Sequence, residues 1–342
     1  MGSCRVSTGE VAGWRSMVLE NDDLQVVVLP DKGAEIHQLV DRQTGIDVLF
    51  KGPWGLGPPG APPLPGSGDD EFMWNYAGGW QELFPSVNES CVYRGRRIPF
   101  HGEVASLPWE YEVVADSGSE VAVRFWTRTK QTSFLLERVM RLRDGAADLS
   151  FGGTVTNEGA AASHFVWGQH CVVGPPFLEA GCHLEIPART IVTSPELWEP
   201  ETARLEPGRR EPWPYAALRA GGHVDLRDIP GAETGSHDDL YVTDLDDGWL
   251  EVSNPRLELT FRLEWDAELF GWIVLWQPYG GAIAPPLTDS YALGVEPWTS
   301  MLSLERAVQA GQATELAAGE RLTTTVRARL SHGVQPSGGA EA

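Results

Sequence analysis

The nine residues LELTFRLEW, Leu257 to Trp265, decide the fold class: Leu257, Leu259, Phe261, Leu263 and Trp265 alternate with Glu258, Thr260, Arg262 and Glu264. Successive side chains of an extended chain project to opposite faces, so one face of this strand is buried and the other wet. The alternation returns at Val121, Val123 and Phe125 against Arg124 and Arg128. It returns again at Leu322, Thr324, Val326, Ala328 and Leu330 against Arg321, Arg327 and Arg329. Turn residues punctuate the runs at Asn21-Asp22-Asp23, Asp116-Ser117-Gly118, Asp144-Gly145, Asn157-Glu158-Gly159, Asp246-Asp247-Gly248 and Ala318-Gly319. Repeated hairpins predict an all-β chain, a large antiparallel β-sandwich with at most short helices, one of them near Met301 to Gln309. No alternation of strands with helices supports a Rossmann or barrel fold.

The organisation follows from the same pattern. Large sandwiches commonly exceed 200 residues as one unit, so residues 17–332 are read as a single domain, with 1–16 as an N-terminal extension and 333–342 as a flexible tail. The stretch GPWGLGPPGAPPLPGSG, residues 52–68, is too rich in Pro and Gly for regular structure. Because the densest cluster of aromatic and polar residues follows it, a loop bordering a site is preferred to a linker. A second loop-like stretch runs from Ser194 to Gly222.

Composition excludes several function classes. A formal net charge of −22 repels polyanions, so nucleic acids and anionic membranes are not expected partners. Lysine occurs only at Lys32, Lys51 and Lys130, which makes Schiff-base chemistry unpromising. Cys4, Cys91, Cys171 and Cys182 show no CxxC spacing, and the eight histidines form no HxH or HExxH motif. Neither a metal site nor a disulfide framework is therefore expected. Residues 1–16 hold no apolar run of signal-peptide length, and a cytoplasmic location is expected. Open strand edges leave room for a homodimer.

Four segments combine glycine, aromatics and a titratable group: GGWQELFP at 78–85, FHGEV at 100–104, WGQHCVVGPPF at 167–177 and LGVEPWTS at 293–300. Glycine allows close backbone approach, flat rings suit the C–H faces of a sugar, and His or Glu supplies hydrogen bonding or proton transfer. Singly, each has a structural reading as a satisfied histidine or a strand-edge carboxylate. Pro297 suits a strand end, where a missing N–H costs no ladder bond.

In order and spacing these segments resemble the aldose 1-epimerase (galactose mutarotase-like) superfamily over roughly residues 17–330. GGWQELFP, HGEV and PWEYEV are most similar to its divergent branch near the hexose-6-phosphate mutarotases, whereas VDLRDIP and DDLYVTDL resemble the galactose mutarotases. The resemblance implies a cofactor-free isomerase that opens and recloses an aldopyranose ring. Glu296 matches the catalytic glutamate and is expected to act as base; His170 matches the histidine that protonates the ring oxygen. His101 is implied to bind the sugar, as is Asp238, with Asp239 or Asp225 as alternative counterparts. Gln81, Arg97 and Trp298 complete the expected binding set.

The chain also departs from the pattern. The hexose-phosphate branch usually continues His-Gly with Phe-Ala-Arg, and here Glu103, Val104 and Ala105 follow. An acid in place of the arginine disfavours a phosphate, although Arg94, Arg96 and Arg97 either replace it or are solvated strand residues. Two other readings stand beside the isomerase. One is a glycoside hydrolase or lyase that would need Glu82, Asp238 or Asp239 beside Glu296. The other is a non-catalytic carbohydrate-binding protein on the same fold.

Overall fold

The computed structural model describes residues 2–68 and 70–333. Two large sheets face each other, and every strand-to-strand pairing among the described residues is antiparallel. The eight-stranded sheet runs in the order His183–Glu185, Trp249–Asn254, Leu259–Glu264, Arg321–His332, Asp148–Asn157, Phe134–Arg143, Glu120–Arg128, Glu110–Asp116. The nine-residue stretch quoted above supplies one of its inner strands. Leu259, Phe261 and Leu263 are buried. On the other face Arg262 bonds Glu251 and Glu264 at 2.8 and 2.7 Å and covers the Trp249 ring. The strand starts two residues later than its alternation suggests, because Asn254 Oδ1 accepts from the Leu257 N–H and holds Leu257 and Glu258 in a turn.

The thirteen-stranded sheet carries the site. Its centre is Glu35–Asp41, Trp80–Leu83, Gly168–Val173, Glu296–Trp298, Trp272–Tyr279 and Ser236–Leu245. The segment 1–16, expected to extend from the domain, instead provides Arg5–Val11, which pairs with Trp14–Glu20 along its whole length at the margin of this sheet. Of the expected tail, residues 334–342 lie outside the described residues. The two helices are short, Glu71–Trp74 and Leu304–Ala310. The second matches the expected amphipathic turn, and the first had no periodic signal of its own. No helix among the described residues is long and apolar enough to cross a membrane.

Period-two alternation gives the thirteen-stranded sheet two distinct faces. One packs on the eight-stranded sheet through Trp80, Cys171, Phe84, Phe151 and Val326, all in one apolar cluster. A buried polar knot lies within that cluster: Arg138 bonds Glu82 at 3.0 Å and the Ala34 carbonyl, beneath the rings of Trp109 and Phe151. Glu82 also accepts from Trp167 Nε1 and from Gln169 Nε2 at 2.7 Å. A buried charge is tolerated only when paired and hydrogen-bonded, and here both members are. The other face carries a second apolar cluster with Phe72, Tyr76, Val172, Val274 and Trp298, and the cavity opens there.

Candidate functional site

The candidate site begins with a cross-strand pair. His170 lies opposite Gln81 in the register of Gly168–Val173 against Trp80–Leu83, so both side chains rise from one face. Gln81 Nε2 donates to Glu35 Oε2 at 2.8 Å and to the Gly78 carbonyl at 2.7 Å. That fixes its amide, and Gln81 Oε1, 3.1 Å from His170 Nδ1, can only accept. The proton of neutral His170 therefore sits on Nδ1. Its Nε2 lone pair faces Glu296 Oε1 across 3.8 Å, too far for a direct hydrogen bond.

Glu35 anchors this chain of bonds. Burial alone would raise its pKa, but Lys32 and the His37 imidazole outweigh that and hold it down to about 2. A buried carboxylate thus orients a buried amide, which orients the imidazole.

Glu296 comes from the three-residue strand Glu296–Trp298, in register with Val274 and Trp272 on one side and reaching Gly168 on the other. The expectation of a strand end at Pro297 is corrected: the proline sits inside the sheet. The N–H groups of Val295 and Thr299 bond Cys171 O and Trp167 O at 2.8 Å each, so the donor that Pro297 lacks falls between two intact rungs. Burial pushes the Glu296 carboxyl well above its ordinary value, and the nearby Asp239 pushes it further. Trp298 Nε1 lies close enough to pull it back a little, yet makes no hydrogen bond of good geometry. Burial draws His170 the other way, down to about 4. Burial thus favours the neutral form of both groups, with the proton on Glu296 rather than on His170 Nε2, the reverse of the carboxylate–imidazolium pair expected from ordinary pKa values.

The other expected residues divide. His101 joins the site: it adopts φ +59° in a turn and its ring centroid lies 5.3 Å from that of His170 and 5.8 Å from Trp298. Burial, then the neighbouring His170, keeps it well below the usual imidazole range, and its Nδ1 has no protein partner. Trp298 lines the cavity beside it. Gln81 acts one step back, through His170. Arg97 does not join. It is exposed on the hairpin of Cys91–Tyr93 and Arg96–Ile98, away from the cavity lining, as are Arg94 and Arg96.

Asp238 is buried and fully used: it accepts from the backbone N–H groups of Arg204 and Leu205 at 2.7 and 3.0 Å and from Arg204 Nε at 2.7 Å. Its neighbour Asp239 faces the cavity. Burial lifts Asp239 to about 6 against the pull of His237, with Asp238 and Glu199 adding to the lift. Asp225 is paired with Arg227 at 2.7 Å, outside the cavity. Of the three aspartates left open by the sequence, Asp239 is the one placed to meet a ligand.

The cavity measures about 430 Å³ and is walled by Phe72, Tyr76, Trp276 and Tyr241 besides the residues above. The loop 52–68 borders it only indirectly, through Trp54 Nε1, which donates to the Tyr76 carbonyl at 2.6 Å. The 194–222 stretch contributes directly, with Ser194 to Trp198 on the wall. Sequence reasoning missed a relay behind that wall. Trp276 Nε1 donates to His237 Nε2 at 2.7 Å, and His237 Nδ1 meets Glu199 Oε2 at 2.6 Å. No signal in spacing links Glu199, His237 and Trp276, which come from a loop and two strands. Among the described residues no group of three His, Cys, Asp or Glu side chains converges as a metal site.

Comparison with known proteins agrees with this architecture. The family model DUF4432, a domain of unknown function, matches residues 11–330. No curated protein matches the chain. Among solved structures, a candidate aldose 1-epimerase from Klebsiella pneumoniae is similar with a TM-score of 0.72 and 15% identity, covering 95% of this chain and 82% of that one. A galactose mutarotase-like protein from Lactobacillus casei is similar with a TM-score of 0.60 and 16% identity over 92% of this chain and 100% of that one. A Synechocystis protein aligns with a TM-score of 0.67 and 17% identity over 95% and 99% of the two chains. At such identities the likeness establishes the galactose mutarotase-like sandwich.

Proposed function

The chain belongs to the DUF4432 family of unknown function, and on that footing we propose that it is an aldose 1-epimerase-like isomerase, interconverting sugar anomers by acid–base opening and closure of a pyranose ring. One observation carries the reading. Glu296 and His170, a carboxyl and an imidazole able to exchange a proton, are buried 3.8 Å apart on the floor of an aromatic cavity.

Ring opening needs a base for the anomeric hydroxyl proton and an acid for the ring oxygen. We assign Glu296 to the first and His170 to the second. The proton passes from Glu296 to His170 Nε2 as the cyclic sugar settles between them. Glu296 then removes the O1 proton while His170 protonates O5; the C1–O5 bond breaks and C1 becomes an aldehyde. The pair now returns to the arrangement that burial favours, with the proton on Glu296 and bare Nε2. Rotation about C1–C2 turns the other aldehyde face to the 5-hydroxyl, and the same two transfers in reverse close the ring. The pair's net charge never changes, which suits a dry apolar site. General acid–base catalysis supplies roughly 10²–10⁴-fold, and positioning adds to it.

The hydrolase reading narrows to one partner for Glu296: Glu82 is bound to Arg138 in the sandwich core and Asp238 to Arg204, which leaves Asp239 on the cavity wall. The likeness to the hexose-6-phosphate branch we take to concern the scaffold, because Arg94, Arg96 and Arg97 do not line the cavity. Magnetisation-transfer NMR on a panel of aldoses tests the proposal. Wild-type protein should accelerate anomer exchange of at least one sugar, and Glu296→Gln or His170→Asn should remove at least 99% of that acceleration. Folded wild-type protein that accelerates none, or variants that retain the rate, would overturn it.

A further inference from the structure

The cavity exceeds the needs of one ring. A hexopyranose has twelve heavy atoms, which at roughly 18 Å³ each in a close-packed organic solid occupy about 220 Å³. That is about half of the space present, and two linked rings at the same density need roughly 410 Å³. Rings mark a path from the dyad outward. The His101 centroid lies 5.3 Å from that of His170, Phe100 lies 3.8 Å from His101, and Trp198 lies 6.4 Å from Phe100. Trp198 ends the row in solvent, 58% exposed.

The backbone next to this exposed tryptophan is anchored through Glu199. Glu199 is buried and accepts from the Ile283 N–H at 3.0 Å, from the Ala284 N–H at 2.6 Å and from His237. Two loops are thereby tied together next to Trp198, which itself lines the cavity. Leu287, Met301 and Leu302 complete an apolar lining.

Charge narrows the ligand further. Glu89, Glu196 and Asp239 line the cavity, and the one Arg or Lys among its described lining residues, Arg306, already faces Glu89 at 3.4 Å. His237 is engaged on both ring nitrogens, by the Trp276 N–H and by Glu199. No unpaired Arg or Lys among the described lining residues would compensate a phosphate or carboxylate on the sugar.

Resting on the ring-opening reading, we infer that the substrate is an uncharged aldose carrying a second sugar ring, with its reducing ring on the Glu296–His170 pair and its second ring packed on Trp198 and Phe100. Flat aromatic faces are suited to the C–H face of such a ring.

The test compares maltose, cellobiose and lactose with glucose and galactose, and with glucose 6-phosphate and glucuronic acid. Anomer exchange by NMR is read alongside binding by calorimetry. At least one disaccharide should exceed its own reducing monosaccharide at least tenfold in kcat/KM or affinity, and both anionic sugars should fall below glucose. Trp198→Ala should bring the disaccharide-to-monosaccharide ratio to within threefold of one, and Trp198→Phe should restore most of it. Disaccharides no better than monosaccharides, a ratio unmoved by Trp198→Ala, or preference for the phosphate would each overturn the inference. Preferential disaccharide binding without exchange would refute the reaction and leave the second-ring subsite standing.

Discussion

Replacing Gln81 by Leu isolates the orienting bond from the proton carriers. The substitution removes the acceptor 3.1 Å from His170 Nδ1 and the donor 2.8 Å from Glu35 Oε2, while neither Glu296 nor His170 changes. In the wild-type protein the Gln81 carbonyl holds the imidazole proton on Nδ1 and leaves Nε2 bare. Without it the tautomer with the proton on Nε2 becomes accessible, and that form cannot receive the Glu296 proton. A buried hydrogen bond of this kind is worth about 1–3 kcal/mol. At about 1.36 kcal/mol per decade of rate, kcat should fall between roughly fivefold and roughly 150-fold. KM should change less, because Gln81 is not on the cavity wall. NMR exchange rates give kcat, and ¹⁵N shifts of His170 report the tautomer, which a merely structural loss would not alter. Gln81→Glu is a poor control because it would set a second buried carboxylate beside Glu35. A Gln81→Leu protein that folds, keeps kcat within twofold and keeps the Nδ1–H tautomer would refute the reasoning.

Three further outcomes follow from the same geometry. The active pair carries one proton, so kcat/KM should fall as pH drops through about 4, where His170 takes a second proton. It should also fall at the alkaline end as Glu296 loses its own; Asp239→Asn, which removes a repelling charge, should move that limb to lower pH, and a stationary limb would sink the assignment. Asp238→Asn should instead cost about 1.5–3 kcal/mol of stability through weakened charged hydrogen bonds to Arg204 and Leu205, read as a lower denaturation midpoint; an effect on KM with no stability loss would contradict its placement. Arg138→Met should destabilise by about 3–5 kcal/mol because it strands the Glu82 charge in the core, and adding Glu82→Gln should recover part of the loss in the same denaturation assay.

Much of this protein was legible in the chain. Alternation at Leu259–Glu264, Glu120–Arg128 and Arg321–His332 specifies half-buried strands whatever their partners, because a side-chain period of two is a property of extended backbone itself. The helix near residue 304 and the grouping of His101, His170 and Glu296 were likewise visible in local motifs and their order. Alternation, however, is a relative statement. It says that Gln81 and Glu82 point opposite ways, and Asp238 and Asp239 likewise, but which way is inward depends on the sheet that packs against them. Only the tertiary structure decided that Glu82 enters the sandwich to meet Arg138, that Gln81 reaches His170, and that Asp239 faces the cavity while Asp238 braces Arg204. The reversed proton preference of Glu296 and His170 belongs to the same class. A pKa set by burial and by charges from distant strands has no local sequence signature, since desolvation exists only once the chain has closed around the group.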